Sequence, residues 1–313
     1  MSSLANRLPV RLGTRASRLA LIQTAAATGA LREIAPELRS AGAVEEVHIR
    51  TTGDAVLDRP LAEIGGKGLF AKEIDTALLG GTIDVAVHSY KDLETVLPDG
   101  ICIAAVLPRA DVRDALVARG GETRIVDLPR GARLGTSSLR RAAQALALRP
   151  DIRIVPLRGN VETRLGKVEA GEVDAAILAL AGLDRLGLAH RVTGRLDPAE
   201  MLPAAAQGAV ALACRADDDG IRELLARTHD RDTGLRVDAE RAMLAALDGS
   251  CQTPIGGLAE LDGDRLILRG LVATEDGRHV FRDSGESAAP DGIALGYRIG
   301  AALRAAAGTR VFP

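Results

Sequence analysis

The chain has 313 residues, of which 47% are apolar and 26% charged, a composition typical of a soluble globular protein with two or three domains. A net charge of −2 and only five aromatic residues, none of them Trp, argue against a nucleic-acid interface. No apolar run reaches the length of a membrane span and no signal pattern begins the sequence, so we expect a cytoplasmic protein.

Cysteine and histidine spacing excludes two classes of site. The three cysteines, Cys102, Cys214 and Cys251, are too few and too scattered for a disulfide framework or a CxxC metal site. The five histidines show neither HxxxH nor HExxH spacing, so no metal is predicted.

The first hundred residues alternate between predicted strands and helices. The apolar pattern predicts strands near residues 10–13, 44–51, 83–87 and 101–107, and helices near 16–38 and 69–79. Ser17 lies where the first helix needs an N-cap. Strand–helix alternation of this kind indicates parallel α/β packing.

A second α/β unit of similar size follows, and then the pattern changes. Strands are predicted near 132–135, 152–157 and 175–180, helices near 138–148 and 161–170, and a further strand near 208–214 that could return to the first lobe. Two such units suggest two lobes with a cleft between them. Beyond residue 220, helices near 221–228, 237–247 and 291–306 flank strands near 258–261, 265–274 and 279–283, which indicates a small α+β domain.

The stretch at residues 83–92 begins as an apolar run typical of a buried central strand and ends in His88, Ser89, Lys91 and Asp92. Ligands bind at the carboxyl ends of strands in open α/β sheets, because helices cover both faces. Asp92 is therefore a candidate catalytic carboxylate. A solvated Lys91–Asp92 pair is the alternative, and this stretch alone does not decide between them.

Three predicted strand-to-helix junctions carry arginines and hydroxyl groups: residues 135–141, residues 158–164, and Arg15 with Ser17. Helix N-termini offer free N–H groups, and arginines offer paired donors for carboxylates or phosphates. Residues 130–167 hold nine basic and two acidic residues. A site for a small polyanionic ligand is therefore favoured over ordinary helix caps with surface arginines.

Two loops contain candidate functional residues. Cys251 lies in a Gly- and Pro-containing loop, where it could be a nucleophile, a covalent attachment point or an unreactive thiol. The glycine-rich segment at 65–70 could close over a ligand with Lys67 as an anion contact, or be a plain linker. Cys102 and Cys214 lie in apolar strands and are expected to be small core residues.

Taken in order, these segments resemble the porphobilinogen deaminase (hydroxymethylbilane synthase) family. The matching segments are 14–17 (TRAS), 65–70 (GGKGLF), 87–92 (VHSYKD), 135–141 (GTSSLRR), 158–161 (RGNV), 181–186 (AGLDRL), 239–241 (AER) and 251–256 (CQTPIG). Each segment alone is unspecific, whereas the ordered set from about residue 10 to residue 257 is highly specific.

The resemblance implies two α/β lobes like those of periplasmic binding proteins, plus a small C-terminal α+β domain. The implied boundaries are residues 1–99 with 200–217 for domain 1, 103–195 for domain 2 and 220–313 for domain 3. The implied enzyme is a transferase of tetrapyrrole and heme biosynthesis. It would condense four porphobilinogen molecules into the linear 1-hydroxymethylbilane with release of ammonia, primed by a dipyrromethane cofactor that a thioether joins to Cys251.

The same resemblance assigns the site residues. Asp92 would be the principal catalytic carboxylate. The implied cofactor and substrate contacts are Arg15, Ser17, Lys67, Phe70, Ser89, Lys91, Thr136, Ser137, Ser138, Arg140, Arg141, Arg158, Arg164 and Arg185. Arginines suit the acetate and propionate groups of porphobilinogen, and a fixed carboxylate can assist loss of the amine and stabilise the resulting cation. Phe70 would shield or stack on a pyrrole, and Lys91 would contact a carboxylate.

Two positions depart from the residues usual in the family. Glu63 stands where relatives often have lysine, and it is not expected to contact substrate. Ala206 precedes Gln207 and Gly208 where a glycine is common, which would slightly alter the crossing between the lobes.

Two other classes of protein remain open. A non-catalytic, two-lobed binding protein for a small polyanion would share the fold, but it gives no joint role to Asp92 and Cys251. An unrelated cysteine-nucleophile transferase would place a His near Cys251 and would need no arginine-lined cleft. No nucleic acid or membrane partner is expected, and a monomer is the default.

Overall fold

The computed structural model describes residues 7–55, 71–248 and 253–312. The strands are β1 (Val10–Arg15), β2 (Val44–Ile49), β3 (Val85–Ser89), β4 (Ile101–Val106), β5 (Asp114–Ala118), β6 (Arg133–Gly135), β7 (Arg153–Val155), β8 (Ala175–Ala179), β9 (Gly194–Arg195), β10 (Val210–Arg215), β11 (Ile255–Asp262), β12 (Arg265–Ala273) and β13 (Val280–Ala288). The α-helices are α1 (Arg18–Ile34), α2 (Thr52–Ala55), α3 (Lys72–Leu79), α4 (Leu139–Leu148), α5 (Val161–Glu169), α6 (Leu180–Arg185), α7 (Asp219–Ala226), α8 (Arg231–Ala246) and α9 (Gly292–Ala307).

The described residues fall into two compact units. The first unit comprises residues 7–55, 71–109 and 209–234, and the second comprises residues 110–208, 235–248 and 253–312. No helix in these described ranges is long and apolar enough to cross a membrane.

The first unit contains a five-stranded sheet in the order β2-β1-β3-β10-β4. β1 pairs in parallel with both β2 and β3, whereas β10 runs antiparallel to β3 and β4. The predicted return of the strand near 208–214 to the first sheet is confirmed. This strand joins the sheet from a distant part of the chain, and no crossover helix directs it to run parallel. The parallel packing predicted for the first hundred residues is found in the pairing of β1 with β2 and β3.

Both faces of this sheet are covered. Successive residues of a strand point to opposite faces, so Val85 packs with Leu31 of α1 on one face. Ala86 packs with Ile74 and Leu78 of α3 on the other face. β3 is therefore the buried central strand that the apolar run predicts.

Cys102 and Cys214 lie opposite each other on β4 and β10, with their Sγ atoms 3.8 Å apart. Cys214 is buried and Cys102 is half-buried. Burial, followed by the neighbouring Cys102 thiol, raises the pKa of Cys214 to about 12. A thiol with this pKa remains protonated, as expected of a small core residue.

The second unit contains two sheets. The first has the order β7-β6-β8-β5-β9, in which β6 pairs in parallel with β7 and β8, while β5 is antiparallel to β8 and β9. The sequence pattern does not predict β5 or β9. β5 is five residues long and buried throughout, so it shows no alternation, and β9 has only two residues.

The second sheet of this unit is the antiparallel sheet β11-β12-β13, which α8 and α9 cover. Gly296 allows the two helices to approach closely, because a Cβ there would lie 2.3 Å from the carbonyl oxygen of Ala239. Leu258 and Leu271 of this sheet pack against Ala143 of α4. The predicted α/β lobes and small α+β domain are thus present.

The predicted domain boundaries stay a prediction. Strand β4 spans the predicted start of domain 2 at residue 103, and it pairs with β10 in the sheet of the first unit.

Candidate active site

The site in the first unit lies at the carboxyl ends of two adjacent parallel strands. β1 ends at Arg15 and β3 ends at Ser89, and their pairing brings both ends to one edge of the sheet. Ser17 caps α1 directly after β1, and its side chain accepts a hydrogen bond from the backbone N–H of Ala20 at 3.3 Å.

A pocket opens at this edge. Its walls are formed by Arg15, Ala20, Gln23, Ala71, Val87, His88, Ser89 and Asp92. The fold thus brings three of the predicted residues, Arg15, Ser89 and Asp92, to one pocket, although they are up to 77 positions apart in the chain.

Asp92 is held by the short 3-10 turn Tyr90–Asp92 that follows β3. The backbone N–H of Tyr90 donates to the carbonyl of Ala209, and that of Leu93 donates to Tyr90. Tyr90 and Leu93 are buried, whereas Lys91 and Asp92 between them are half-buried. Two apolar anchors therefore fix the turn and leave the carboxylate partly accessible.

Asp84, the other acidic residue of the 83–92 stretch, has a structural role. Its carboxylate accepts hydrogen bonds from the backbone N–H and the side chain of Arg11, at 2.9 and 2.8 Å. Burial opposes ionisation, but these hydrogen bonds hold the pKa of Asp84 below its usual range. The candidate catalytic carboxylate of this stretch is therefore Asp92.

Ser89 and Gln23 form a hydrogen-bonded pair in the pocket. The Gln23 amide Nε2 lies 2.8 Å from the Ser89 hydroxyl. Gln23 is buried on the face of α1 that packs on the sheet. The pair fixes the orientation of Ser89 beside Asp92.

His88 also lies in the pocket wall and is 7% exposed. Burial, and secondly the positive charge of Arg15, lower the pKa of His88 to about 4. The imidazole is therefore neutral at ordinary pH.

The predicted residues of the second unit lie after three strand ends. β7, β6 and β8 are adjacent and parallel, and each leads to a helix, α5, α4 and α6 respectively. Ser138 caps α4 and Asn160 caps α5. The Ser137 hydroxyl donates to the carbonyl of Leu157 and accepts from its N–H, both at 3.1 Å, which ties the two junctions together.

Arg140 and Arg141 share one carboxylate, that of Asp114 at the start of β5. Arg140 Nη2 lies 2.8 Å from Asp114 Oδ2, and Arg141 Nη2 lies 2.7 Å from Asp114 Oδ1. All three side chains are buried. Two guanidinium charges against one carboxylate leave this cluster with a net positive charge.

The remaining predicted site arginines of the second unit, Arg158, Arg164 and Arg185, are half-buried. Arg164 Nε donates to the carbonyl of Gly159 at 2.8 Å, and Arg185 Nη2 donates to the carbonyl of Gly208 at 2.8 Å. Burial lowers the pKa of Arg185. Arg158 lies between β7 and α5.

Three predicted site residues, Lys67, Phe70 and Cys251, lie outside the described residues. Within the described ranges, no cluster of three or more His, Cys, Asp or Glu side chains could hold a metal ion.

The sequence matches known families over most of its length. Residues 10–223 match the family model "Porphobilinogen deaminase, dipyromethane cofactor binding domain", and residues 234–305 match "Porphobilinogen deaminase, C-terminal domain". The chain belongs to the porphobilinogen deaminase family.

Curated relatives of the porphobilinogen deaminase family align over nearly the whole chain. The porphobilinogen deaminase of Paracoccus denitrificans is 53% identical over 95% of this chain and 94% of its own length. That of Syntrophobacter fumaroxidans is 51% identical, with 94% of each chain covered.

The solved structures that align with this one share much less sequence with the chain than these relatives do. The VFT2 domain of Bordetella pertussis BvgS has a TM-score of 0.43 and 16% identity, covering 72% of this chain and 88% of its own. A TRAP periplasmic solute binding protein from Desulfovibrio salexigens has a TM-score of 0.43 and 11% identity, covering 70% of this chain and 72% of its own.

The residues of the second unit fit the dipyrromethane cofactor of the porphobilinogen deaminase family. A dipyrromethane built from porphobilinogen carries acetate and propionate groups, so it needs cationic partners. The net positive charge of the Asp114, Arg140 and Arg141 cluster and the N-termini of α4 and α5 meet that need.

Sequence reasoning missed Gln23 and Asp114. Gln23 lies on the buried face of α1 with Ala20 and Ala27. A polar residue at such an otherwise apolar position is the sequence signal that could have identified Gln23 as a site residue. Asp114 begins an unpredicted strand, and no local pattern connects it with Arg140 26 residues later.

Proposed function

We propose that the protein condenses four porphobilinogen molecules head-to-tail into 1-hydroxymethylbilane, releasing ammonia at each addition, from a dipyrromethane primer bound to Cys251. The observation that carries this proposal is the match of the family's cofactor-binding domain over residues 10–223. Within that domain, the pocket at the end of β3 holds a carboxylate, Asp92, and a guanidinium, Arg15.

Asp92 is the proposed catalytic carboxylate. Loss of ammonia from porphobilinogen breaks the bond between the aminomethyl carbon and nitrogen and leaves a cationic azafulvene. A carboxylate near that cation stabilises it and accepts a hydrogen bond from the pyrrole N–H. At about 4 Å and an effective dielectric constant of about 20, this attraction amounts to about 4 kcal/mol, or about a thousandfold in rate.

The proposed role of the arginines is to bind carboxylates. Arg15 would attract an acetate or propionate of the incoming pyrrole, while Arg158, Arg164 and Arg185 would bind those of the second unit's ligand. Arg140 and Arg141 would act as a pre-oriented pair, because Asp114 already holds both guanidinium groups.

When bound, the dipyrromethane supplies the free pyrrole α-carbon that the first substrate unit joins. Cys251 would hold it through a thioether. A mass spectrum of the denatured protein tests the attachment: we expect extra mass equal to two linked pyrroles, lost in Cys251→Ala and retained in the control Cys102→Ala. An unmodified Cys251 in active protein would contradict this assignment.

The reaction itself is tested by incubating the purified holoenzyme with porphobilinogen. We expect one ammonia per porphobilinogen consumed, together with a linear tetrapyrrole. Saturable binding of porphobilinogen without ammonia release would instead favour the alternative, a non-catalytic binding protein for a small polyanion.

The cellular setting and the domain division belong to the same proposal. We expect a cytoplasmic monomer with domains at residues 1–99 with 200–217, 103–195 and 220–313. Light scattering tests the oligomeric state, cell fractionation tests the location, and limited proteolysis tests the boundaries.

A further inference from the structure

His88 has an unsatisfied polar atom in a place where proteins rarely leave one. It is 93% buried, since 7% of its surface is exposed, and its Nε2 has no hydrogen-bond partner among the described residues. Nearly all buried side-chain nitrogens and oxygens in folded proteins have a partner, because an unpaired one loses its hydration without compensation. Nothing in the described part of the chain pairs with this nitrogen, and a bound group would supply the partner.

The surroundings of His88 show where that group would lie. His88 and Asp92 line one pocket, together with Arg15 and the hydrogen-bonded pair of Gln23 and Ser89. The imidazole of His88, on β3, thus shares a pocket with the proposed catalytic carboxylate of Asp92, in the turn that follows β3.

The charges in the pocket indicate which kind of group would bind to His88 Nε2. Arg15 is the cation among the described residues of the pocket wall, and its charge helps to keep the imidazole neutral. A neutral imidazole has one ring N–H to donate. A carboxylate attracted by Arg15 has a second oxygen that can accept this hydrogen bond.

We propose that His88 Nε2 donates a hydrogen bond to an acetate or propionate group of the pyrrole bound in this pocket, and so holds the pyrrole beside Asp92. The proposal rests on the proposed function, because that function supplies a pyrrole with carboxylate side chains. It adds a ligand-contacting residue to Asp92 and Arg15. No covalent step involves His88.

Two substitutions separate hydrogen bonding from packing. His88→Gln keeps an N–H donor at similar reach, whereas His88→Leu keeps bulk without a donor. We expect His88→Leu to raise KM about tenfold, the usual effect of one lost hydrogen bond to a charged group, with a smaller change in kcat. His88→Gln should restore most of the loss, and His190→Gln at an exposed position should change neither constant.

A binding measurement provides a readout other than turnover. The probe is the pyrrole with the same acetate and propionate groups but no aminomethyl arm, which cannot lose ammonia. In holoenzyme labelled with ¹⁵N-histidine, we expect the His88 Nε2 resonance to shift on saturation with the probe and that of His190 to remain unchanged. Unlabelled His88→Leu should bind the probe about tenfold more weakly.

The outcomes separate this proposal from the proposed function. An unshifted His88 resonance at saturation, or wild-type affinity in His88→Leu, would overturn the role of His88 even in an active enzyme. A shifted resonance in a protein that releases no ammonia would support the role of His88 and reject the condensation reaction. Because the resonance is measured in the wild-type chain, the test does not depend on the folding of a variant.

Discussion

The Glu240 carboxylate accepts a hydrogen bond from the backbone N–H of Ala206 at 2.6 Å. Its second oxygen accepts from the N–H of Ala259 in β11 at 2.8 Å. Glu240 and Ala206 are fully buried, and Ala206 has a φ of +59° in the left-handed region. Glu240 therefore joins α8 to β11 and to a strained turn within the second unit.

Glu240→Ala should destabilise the second unit. Two buried N–H groups would lose their acceptor, at about 1–3 kcal/mol each, so we expect a loss of about 2–6 kcal/mol in the free energy of unfolding. Urea denaturation measures this loss, with Asp238→Ala at an exposed position of the same helix as the control. Equal stability of the two variants would show that Glu240 does not hold the turn.

Asp114→Asn should also be costly, because it leaves two buried guanidinium groups without a charged partner. Breaking a buried ion pair in this way costs about 3–5 kcal/mol. The matched control is Asp174→Asn, whose partner Arg133 is more exposed to solvent, so we expect a much smaller loss. Urea denaturation would contradict this prediction if the two losses were the same.

Asp92→Asn should reduce catalysis without unfolding the protein. Removal of the charge that stabilises the cation should lower kcat by about a thousandfold or more, while the melting temperature changes little because Asp92 is only half-buried. Ammonia release under saturating porphobilinogen gives kcat, with exposed Asp99→Asn as the control. Turnover near that of the control would exclude Asp92 as the principal catalytic carboxylate.

Asp75, in the first turn of α3, should make stability depend on pH. Burial, and secondly the charge of Glu94, raise its pKa to about 6, from a usual value near 4. The folded state therefore binds this proton more tightly than the unfolded state. Its stabilising contribution is complete below about pH 4 and is lost as the pH rises through about 6.

Asp75→Asn removes this dependence. We expect its melting temperature to exceed that of the wild type at pH 8 and to equal it near pH 4. Thermal denaturation at both values measures the difference. A constant difference across this range would mean that Asp75 does not titrate with a raised pKa.

The apolar and capping patterns of the sequence determined most of the elements around the site. β3 was predictable because four consecutive buried residues precede Ser89, and the start of α1 because Ser17 is a good N-cap followed by an apolar face. These signals are local, since they depend on residues within one or two turns. The ordered motifs added Asp92 and Arg15 as site residues and the family as an expectation.

Tertiary structure decided which polar groups meet. Arg140 and Arg141 resembled a ligand-binding pair in the sequence, and the fold shows that Asp114, from the unpredicted strand β5, lies between them. The pairing of β1 with β3 brings Arg15 to the pocket that His88 and Asp92 line. Such contacts join residues tens of positions apart, so no local sequence pattern reveals them. The same is true of the carboxylate that Arg140 and Arg141 share, and of His88 Nε2, which has no partner among the described residues. By itself, the sequence determined that Asp92 closely follows a buried strand. The fold decided that a guanidinium and a neutral imidazole share its pocket, because strand pairing brings these groups together.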